Sequence, residues 1–403
     1  MDIIDAEVAI VGAGPAGTIA AQRTASTGLD VVVIEEHSDV GLPTHCAGLL
    51  SVDGIKRLGM EIPPKCIQNV VRGSKFYSPS GKCFLVQRQS KQAYVVDREL
   101  LDKSLARNAV DSGADLLLDT KAFLLKRDGN RLRLRTGGNN EIRANVVINA
   151  EGVKASLVKN IGLKPPERSM TLPAMQFEIS DIRNLNPDFV EIYLGKNIAP
   201  GFFAWIIPTG KDTARVGLAA KARKSITVHK LLQRFIRLPI VCQKFKKSEV
   251  RRKKAGFVLT GGPIPTTYAD NFIVVGDAAG QAKPTTGGGV ITGGLCAQIA
   301  GRIAARSISR EDVSGENLRN YEIKWKKILG WEFFTMLWAR RCLNQLSDTQ
   351  LERIFEIILK ERLIDTIEGY GDIDFQSRVL LRILKNPRFI LTILPSLIRA
   401  LIL

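Results

Sequence analysis

The chain has 403 residues, of which 45% are hydrophobic and 24% charged. That composition suits two or three packed units and excludes disordered and collagen-like chains. The charge is uneven: 58 Lys and Arg against 40 Asp and Glu give +18, and residues 221–254 alone hold 13 Lys/Arg against the single acid Glu249.

The N-terminus carries acids and starts a strand at once. It has no charged n-region and no cleavage site, so a secreted protein is not expected. No apolar run reaches the roughly 18 residues of a spanning helix. Residues 6–11 read as a buried strand, 12–17 as a glycine-rich turn, 18–27 as a helix and 29–34 as the next strand, closing on Glu35 and Glu36. Together they form one βαβ unit. Short strands are predicted over 68–96, turning at Ser78-Pro79-Ser80-Gly81, then a helix over 97–112. Strands resume over 115–150, with turns at 128–130 and 137–140, and continue over 170–220. The basic segment 221–254 reads as partly helical. A buried strand over 272–275 enters a glycine-rich loop and a helix over 291–307, and residues 313–403 read as mostly helical.

With no repeats and no low-complexity linker, the domains are expected to interleave. The fold class is α/β (α+β): a Rossmann-like domain, a mixed-sheet domain and C-terminal helices. The expected boundaries are 1–67, 97–165 and 265–325 for the nucleotide domain. Residues 68–96 and 166–264 form the sheet domain, and 326–403 the helical region.

Cys46, Cys66, Cys83, Cys242, Cys296 and Cys342 are scattered without CxxC or Cys/His ligand spacing. Neither a zinc site nor a disulfide framework is expected. Gly12-x-Gly14-x-x-Gly17 lies between a predicted strand and a predicted helix, with Glu35 at the end of the second strand. Here the glycines permit a tight turn and close approach to a pyrophosphate. Pro15 and Ala16 open a helix whose N-terminal N–H groups attract the anion. Glu35, with Glu36 beside it, accepts hydrogen bonds from a ribose. The motif alone does not choose between NAD and FAD.

Phe272-Ile273-Val274-Val275-Gly276-Asp277-Ala278-Ala279 resembles the Gly-Asp motif of the p-hydroxybenzoate hydroxylase-type flavoproteins. The resemblance implies FAD as cofactor, with Asp277 on its ribityl chain. Pro284-Thr285-Thr286-Gly287-Gly288-Gly289 is similar to the loop that approaches the flavin ring, with Val290 entering the helix. Arg98, in Asp97-Arg98-Glu99-Leu100-Leu101-Asp102, matches the Arg of the family's Arg-x-x-Leu-Asp helix start, which contacts FAD. Glu151-Gly152 matches the family's Asp-Gly segment only in part.

Two further segments resemble the geranylgeranyl reductase family. Pro43-Thr44-His45-Cys46-Ala47-Gly48 looks like its Cys-x-Gly segment near the flavin. Phe203-Ala204-Trp205-Ile206-Ile207-Pro208, with Gly217 beyond it, looks like the segment lining its lipid site, with Phe203 in place of Tyr. The order and spacing hold from residue 5 to about 350, including Ser347-Asp348. Such enzymes saturate isoprenoid C=C bonds of archaeal membrane lipids. The resemblance implies hydride delivery from N5 of reduced FAD to one alkene carbon. A proton must reach the other carbon, and a thiol, with a pKa of about 8.5, is mostly protonated at neutral pH. Cys46 is therefore the candidate acid or positioning group. His45 is expected to be structural or solvent-facing. Phe203, Trp205, Pro208 and Gly287 are the expected substrate-binding residues.

No second GxGxxG is evident, so electrons are expected from a transiently bound NAD(P)H or from a ferredoxin-like protein. The basic segment suits such an acidic partner, the lipid phosphate, an anionic membrane or plain solvation. The apolar residues 386–403 are too short and proline-broken to span a bilayer. The expected partners are a polyprenyl phospholipid and a membrane surface, with no nucleic acid and no metal. The expected location is cytoplasmic and peripheral to the membrane. A monooxygenase or halogenase of the same fold, and an electron-transfer dehydrogenase serving quinone, are the alternatives. The Trp-x-Trp-x-x-Ile motif of a halogenase is missing from the sequence.

Overall fold

The computed structural model describes residues 3–44, 46–137, 140–221 and 226–402, with the backbone alone at 401 and 402. His45, two residues of the turn at 137–140 and residues 222–225 of the basic segment lie outside them. Residue contacts divide the chain into two units of three segments each. The first holds Met1–Thr44, Arg98–Met170 and Leu259–Phe333, and the second His45–Asp97, Thr171–Val258 and Phe334–Leu403.

The first unit is built on a twisted sheet. Its central strand Ile3–Val11 pairs in parallel with Val31–Ile34 on one side and Glu141–Asn149 on the other, Val8 lying opposite Val31 and Val146. Ala114–Leu117 and Phe272–Val274 extend the parallel array. A hairpin of Ala122–Asp128 and Arg131–Thr136 pairs antiparallel to Glu141–Asn149. Val31–Ile34 is buried at every position, as expected for a parallel strand covered on both faces. The helix Pro15–Ala25 starts earlier than the sequence pattern suggests, because Pro15 at its first turn needs no N–H partner there. It packs on the helix Val290–Ser309 through small residues. A Cβ on Gly301 would lie 2.8 Å from the Ala20 carbonyl oxygen.

The second unit carries a seven-stranded sheet in the order Glu249–Leu259, Thr171–Ser180, Ala214–Ala219, Ala204–Pro208, Phe189–Tyr193, Gly73–Tyr77 and Cys83–Gln87. One face packs Phe177, Ile179, Ile206, Val216 and Leu218 against the helix Val228–Ile236. Thr227 caps that helix by accepting from the Lys230 N–H. The opposite face carries Trp205, Ile207 and Ala219, which meet Val71, Ala93 and Val95 of a small three-stranded sheet. One margin of the large sheet is the basic strand Glu249–Leu259. At the other margin, the Gln87 N–H donates to Glu368 of the helix Leu363–Tyr370 at 2.7 Å. Helices follow to the end, among them Asp348–Lys360, opened by a Ser347–Gln350 capping box. No helix of the described residues is long and apolar enough to cross a membrane.

Candidate functional site

In the first unit the glycine turn is shaped by close backbone approach. Gly12 has φ +99°, and a Cβ there would lie 2.5 Å from the Ala150 oxygen. A Cβ on Gly17 would collide with the Gly12 carbonyl. Gly14, at the helix N-cap, faces open space with nothing within 4 Å. The turn is thus tight behind and vacant in front, next to the positive end of a helix. Glu35 closes one side: its carboxylate accepts the Ala13 N–H at 2.8 Å and meets His37 Nδ1 at 2.5 Å. The His37 N–H takes a third acceptor site at 3.1 Å, and of the roughly four that a carboxylate offers, about one remains for a hydroxyl group. Lys154 and Lys121 pair with Glu36 and hold its carboxyl below the ordinary range.

Val274 delivers the chain into the second loop of this unit. Gly276 has φ +63° and packs on Ala16 of the first turn. Solvent reaches the Asp277 side chain. Protein atoms nevertheless crowd around it. This crowding raises its carboxyl above the ordinary value, and the charge of Arg98 works against that rise. A Cβ on Gly289 would lie 2.8 Å from Asp277 Oδ1, so the carboxylate rests against the start of the helix Val290–Ser309. Arg98 forms a fork with Asp102 one turn along its own helix, Nε to Oδ1 at 2.9 Å and Nη2 to Oδ2 at 2.8 Å. Gly287 has φ +73°, and Gly288 is exposed. Beneath that loop lies Lys283, only 6% exposed, its Nζ 3.3 Å from where a Gly288 Cβ would stand. The Glu151 carboxylate is engaged within its own loop, accepting from Asn149, Ser156 and the Leu157 N–H.

Cys46, Ala47, Gly48, Phe203, Trp205 and Pro208 belong to the second unit. Ala47 and Phe203 pack in the cluster that contains Trp205, Ile207 and Val95. Trp205 is locked: its Nε1–H donates to Gln176 at 3.1 Å, and Phe203 meets its ring edge-on at 6.1 Å. Pro208 ends that strand, its carbonyl accepting from Asn69 at 3.0 Å. The half-buried Cys46 thiol sulfur accepts the Gly48 N–H at 3.3 Å.

Two buried cations in this unit escaped the sequence reading. Arg215 binds the carbonyls of Ala47 and Val96 and the side chain of Gln68. Its signal was a charge inside the otherwise apolar strand Ala214–Ala219. Arg340 donates to the Gly201 carbonyl and lies 4.6 Å over the Phe202 ring, which stacks on Phe203. Burial pushes its guanidinium down to about 10. Among the described residues no cluster of His, Cys, Asp or Glu suits a metal ion.

Comparison with known proteins agrees with this geometry. Residues 5–294 match the FAD binding domain family. The chain is 33% identical to the digeranylgeranylglycerophospholipid reductase of Methanocaldococcus jannaschii over 93% of this chain and 94% of that one. It is also 33% identical to digeranylgeranylglycerophospholipid reductase 2 of Methanothermobacter thermautotrophicus, over 97% and 99%. A solved geranylgeranyl bacteriochlorophyll reductase-like protein of Thermoplasma acidophilum superposes with a TM-score of 0.85 at 25% identity, covering 99% of both chains. The cofactor is FAD. The open front of Gly14 and the Asp277 carboxylate, lying against the start of the helix Val290–Ser309, fit it. The chain belongs to the FAD-binding flavoproteins, in the family of the digeranylgeranylglycerophospholipid reductases.

Proposed function

We propose that this chain is a FAD-dependent reductase that saturates isoprenoid C=C bonds of geranylgeranylated, archaeal-type membrane phospholipids. The observation that carries this reading is the cluster of Ala47, Phe203 and Trp205, which joins the Cys-x-Gly segment to an apolar wall. Gly12, Gly14, Pro15, Ala16 and Gly17 take the pyrophosphate, and Glu35, with Glu36 beside it, takes a ribose. Arg98, Gly276 and Asp277 hold the ribityl side, and Gly288, Gly289 and Val290 the pyrimidine edge. Bound there, reduced flavin supplies a hydride to one alkene carbon.

The protein's own groups do the rest. Phe203, Trp205 and Pro208 exclude water and hold the polyprenyl chain, and Gly287 is a further substrate-binding residue. Cys46 delivers the proton. Its sulfur accepts the Gly48 N–H, which leaves the S–H free to point elsewhere.

A phospholipid substrate supports the reading that the enzyme works at a membrane surface, peripherally and from the cytoplasmic side. Residues 377–402 carry five cations and no acid. On the helix Pro387–Ile402, Leu391, Leu394 and Ile398 are 68%, 41% and 49% exposed, while Ile393 and Ala400 are buried. A helix that is apolar on its water side and flanked by cations suits an anionic interface. The exposed cations Arg251, Arg252 and Lys253 suit an acidic ferredoxin-like donor or NAD(P)H, although Glu249 and Glu178 offset part of the charge of their strand.

The test is anaerobic dithionite reduction of the purified protein with a geranylgeranylated phospholipid, followed by mass spectrometry. Stepwise gain of hydrogen pairs is expected. Flavin reduction with no change in lipid mass rejects the reading.

A further inference from the structure

Arg215 is 5% exposed in an apolar strand. A charge placed there persists only when hydrogen bonds replace its water. Those bonds draw together three segments of the same unit, at Ala47, Gln68 and Val96. Nη1 donates to the Ala47 carbonyl at 2.7 Å and to the Val96 carbonyl at 2.9 Å, and Nη2 donates to Gln68 at 2.7 Å. The Val96 N–H in turn donates to the Gly48 carbonyl at 2.8 Å. Gly48 has φ +73°, and a Cβ there would collide with Arg215 Nη1 and the Val96 oxygen. The glycine of the Cys-x-Gly segment is thus required by its left-handed backbone and the Val96 oxygen, with the guanidinium also lying against it.

The Ala47 carbonyl and the Gly48 N–H belong to the same peptide group. That group is planar, and in its trans form the two bonds point in opposite directions. Arg215 holds the oxygen on one side, and the N–H on the other side is aimed at Cys46 Sγ, 3.3 Å away. A cation on the oxygen also polarises the amide and strengthens the N–H as a donor.

We propose that Arg215 is a positioning residue for Cys46, acting through the Ala47–Gly48 peptide plane to fix where the thiol sits and how it reacts. The inference rests on the proposed role of Cys46 for its catalytic meaning, but the clamp has a test of its own. The rate of Cys46 alkylation by iodoacetamide is followed peptide by peptide in the FAD-loaded full chain, with the exposed Cys83 as internal control. Arg215→Lys keeps the charge but replaces the planar fork with a single nitrogen, so it cannot hold the two carbonyls and Gln68 in the same geometry. It is expected to change the Cys46 rate about five-fold, the equivalent of one ordinary hydrogen bond, with flavin content and the Cys83 rate unmoved. Gly48→Ala disturbs the same plane with Arg215 intact and is expected to change the Cys46 rate as well. An unchanged Cys46 rate in either folded variant overturns the proposal. Cys46→Ala separates the two ideas: full turnover there refutes the thiol's role in proton delivery and leaves the clamp standing on the alkylation result.

Discussion

Gly217→Ala tests whether the Trp205 wall is as rigid as its contacts imply. Gly217 lies between Trp205 on one neighbouring strand and Gln176 on the other. An added methyl would stand 2.6 Å from Trp205 Cζ2, 2.7 Å from Cε2 and 2.8 Å from the Met175 oxygen. Carbon atoms rest at about 3.5–4.0 Å, so the indole must retreat by roughly 1 Å. The Met175 oxygen cannot give way without disturbing its strand. The ring is held by its hydrogen bond to Gln176 and by Phe203. Overpacking of this kind costs about 1–3 kcal/mol, and losing the Trp–Gln bond adds about 1 kcal/mol. A loss of about 2–4 kcal/mol is expected in urea unfolding of the FAD-loaded protein. The apparent KM for a polyprenyl substrate should rise while flavin content holds. A loss under about 0.5 kcal/mol, within the range of neutral substitutions, would refute the view that Trp205 is locked.

Gly17→Ala places a methyl against the Gly12 carbonyl, a backbone group that cannot rotate aside; the purified variant should be colourless, and retention of full flavin absorbance would contradict the turn geometry. Asp277 is crowded by protein, so its carboxyl titrates above the ordinary range. The folded chain therefore holds that proton more tightly than the unfolded chain does. The associated stability is present at acid pH and is lost as pH rises through the raised value. Asp277→Asn should accordingly raise the melting temperature of the flavin-free protein at pH 7, with the gain vanishing toward acid pH, while FAD binding weakens. A variant that melts lower at pH 7 would count against the crowding. Leu391→Glu combined with Ile398→Glu should abolish flotation with anionic vesicles and leave turnover of a detergent-solubilised substrate intact; undiminished flotation would remove this helix from the membrane contact.

Much of the first unit is legible in the sequence. Parallel strands buried on both faces are continuous apolar runs such as Val31–Ile34, and Gly12 and Gly17 sit where any side chain would collide. The strand Glu249–Leu259 was not legible. Both of its faces meet solvent over 249–253, so no alternation marks it, and Arg251-Arg252-Lys253-Lys254 reads as a charge run. Leu49–Ser51 and Val52–Leu58 are too short for periodicity to show. Arg215 stands out as a charge, but its partners Ala47 and Val96 lie 168 and 119 residues away. No spacing rule reaches that far.

The large sheet treats its two margins differently. Cys83–Gln87 is shielded by the helix that carries Glu368, whereas Glu249–Leu259 bristles with guanidinium and ammonium groups. The same strand of a second copy, seeking to extend the sheet there, would meet electrostatic repulsion before its amides could register. Part of the unusual cation excess thus guards against edge-to-edge polymerisation, a guard that concentrated salt would weaken.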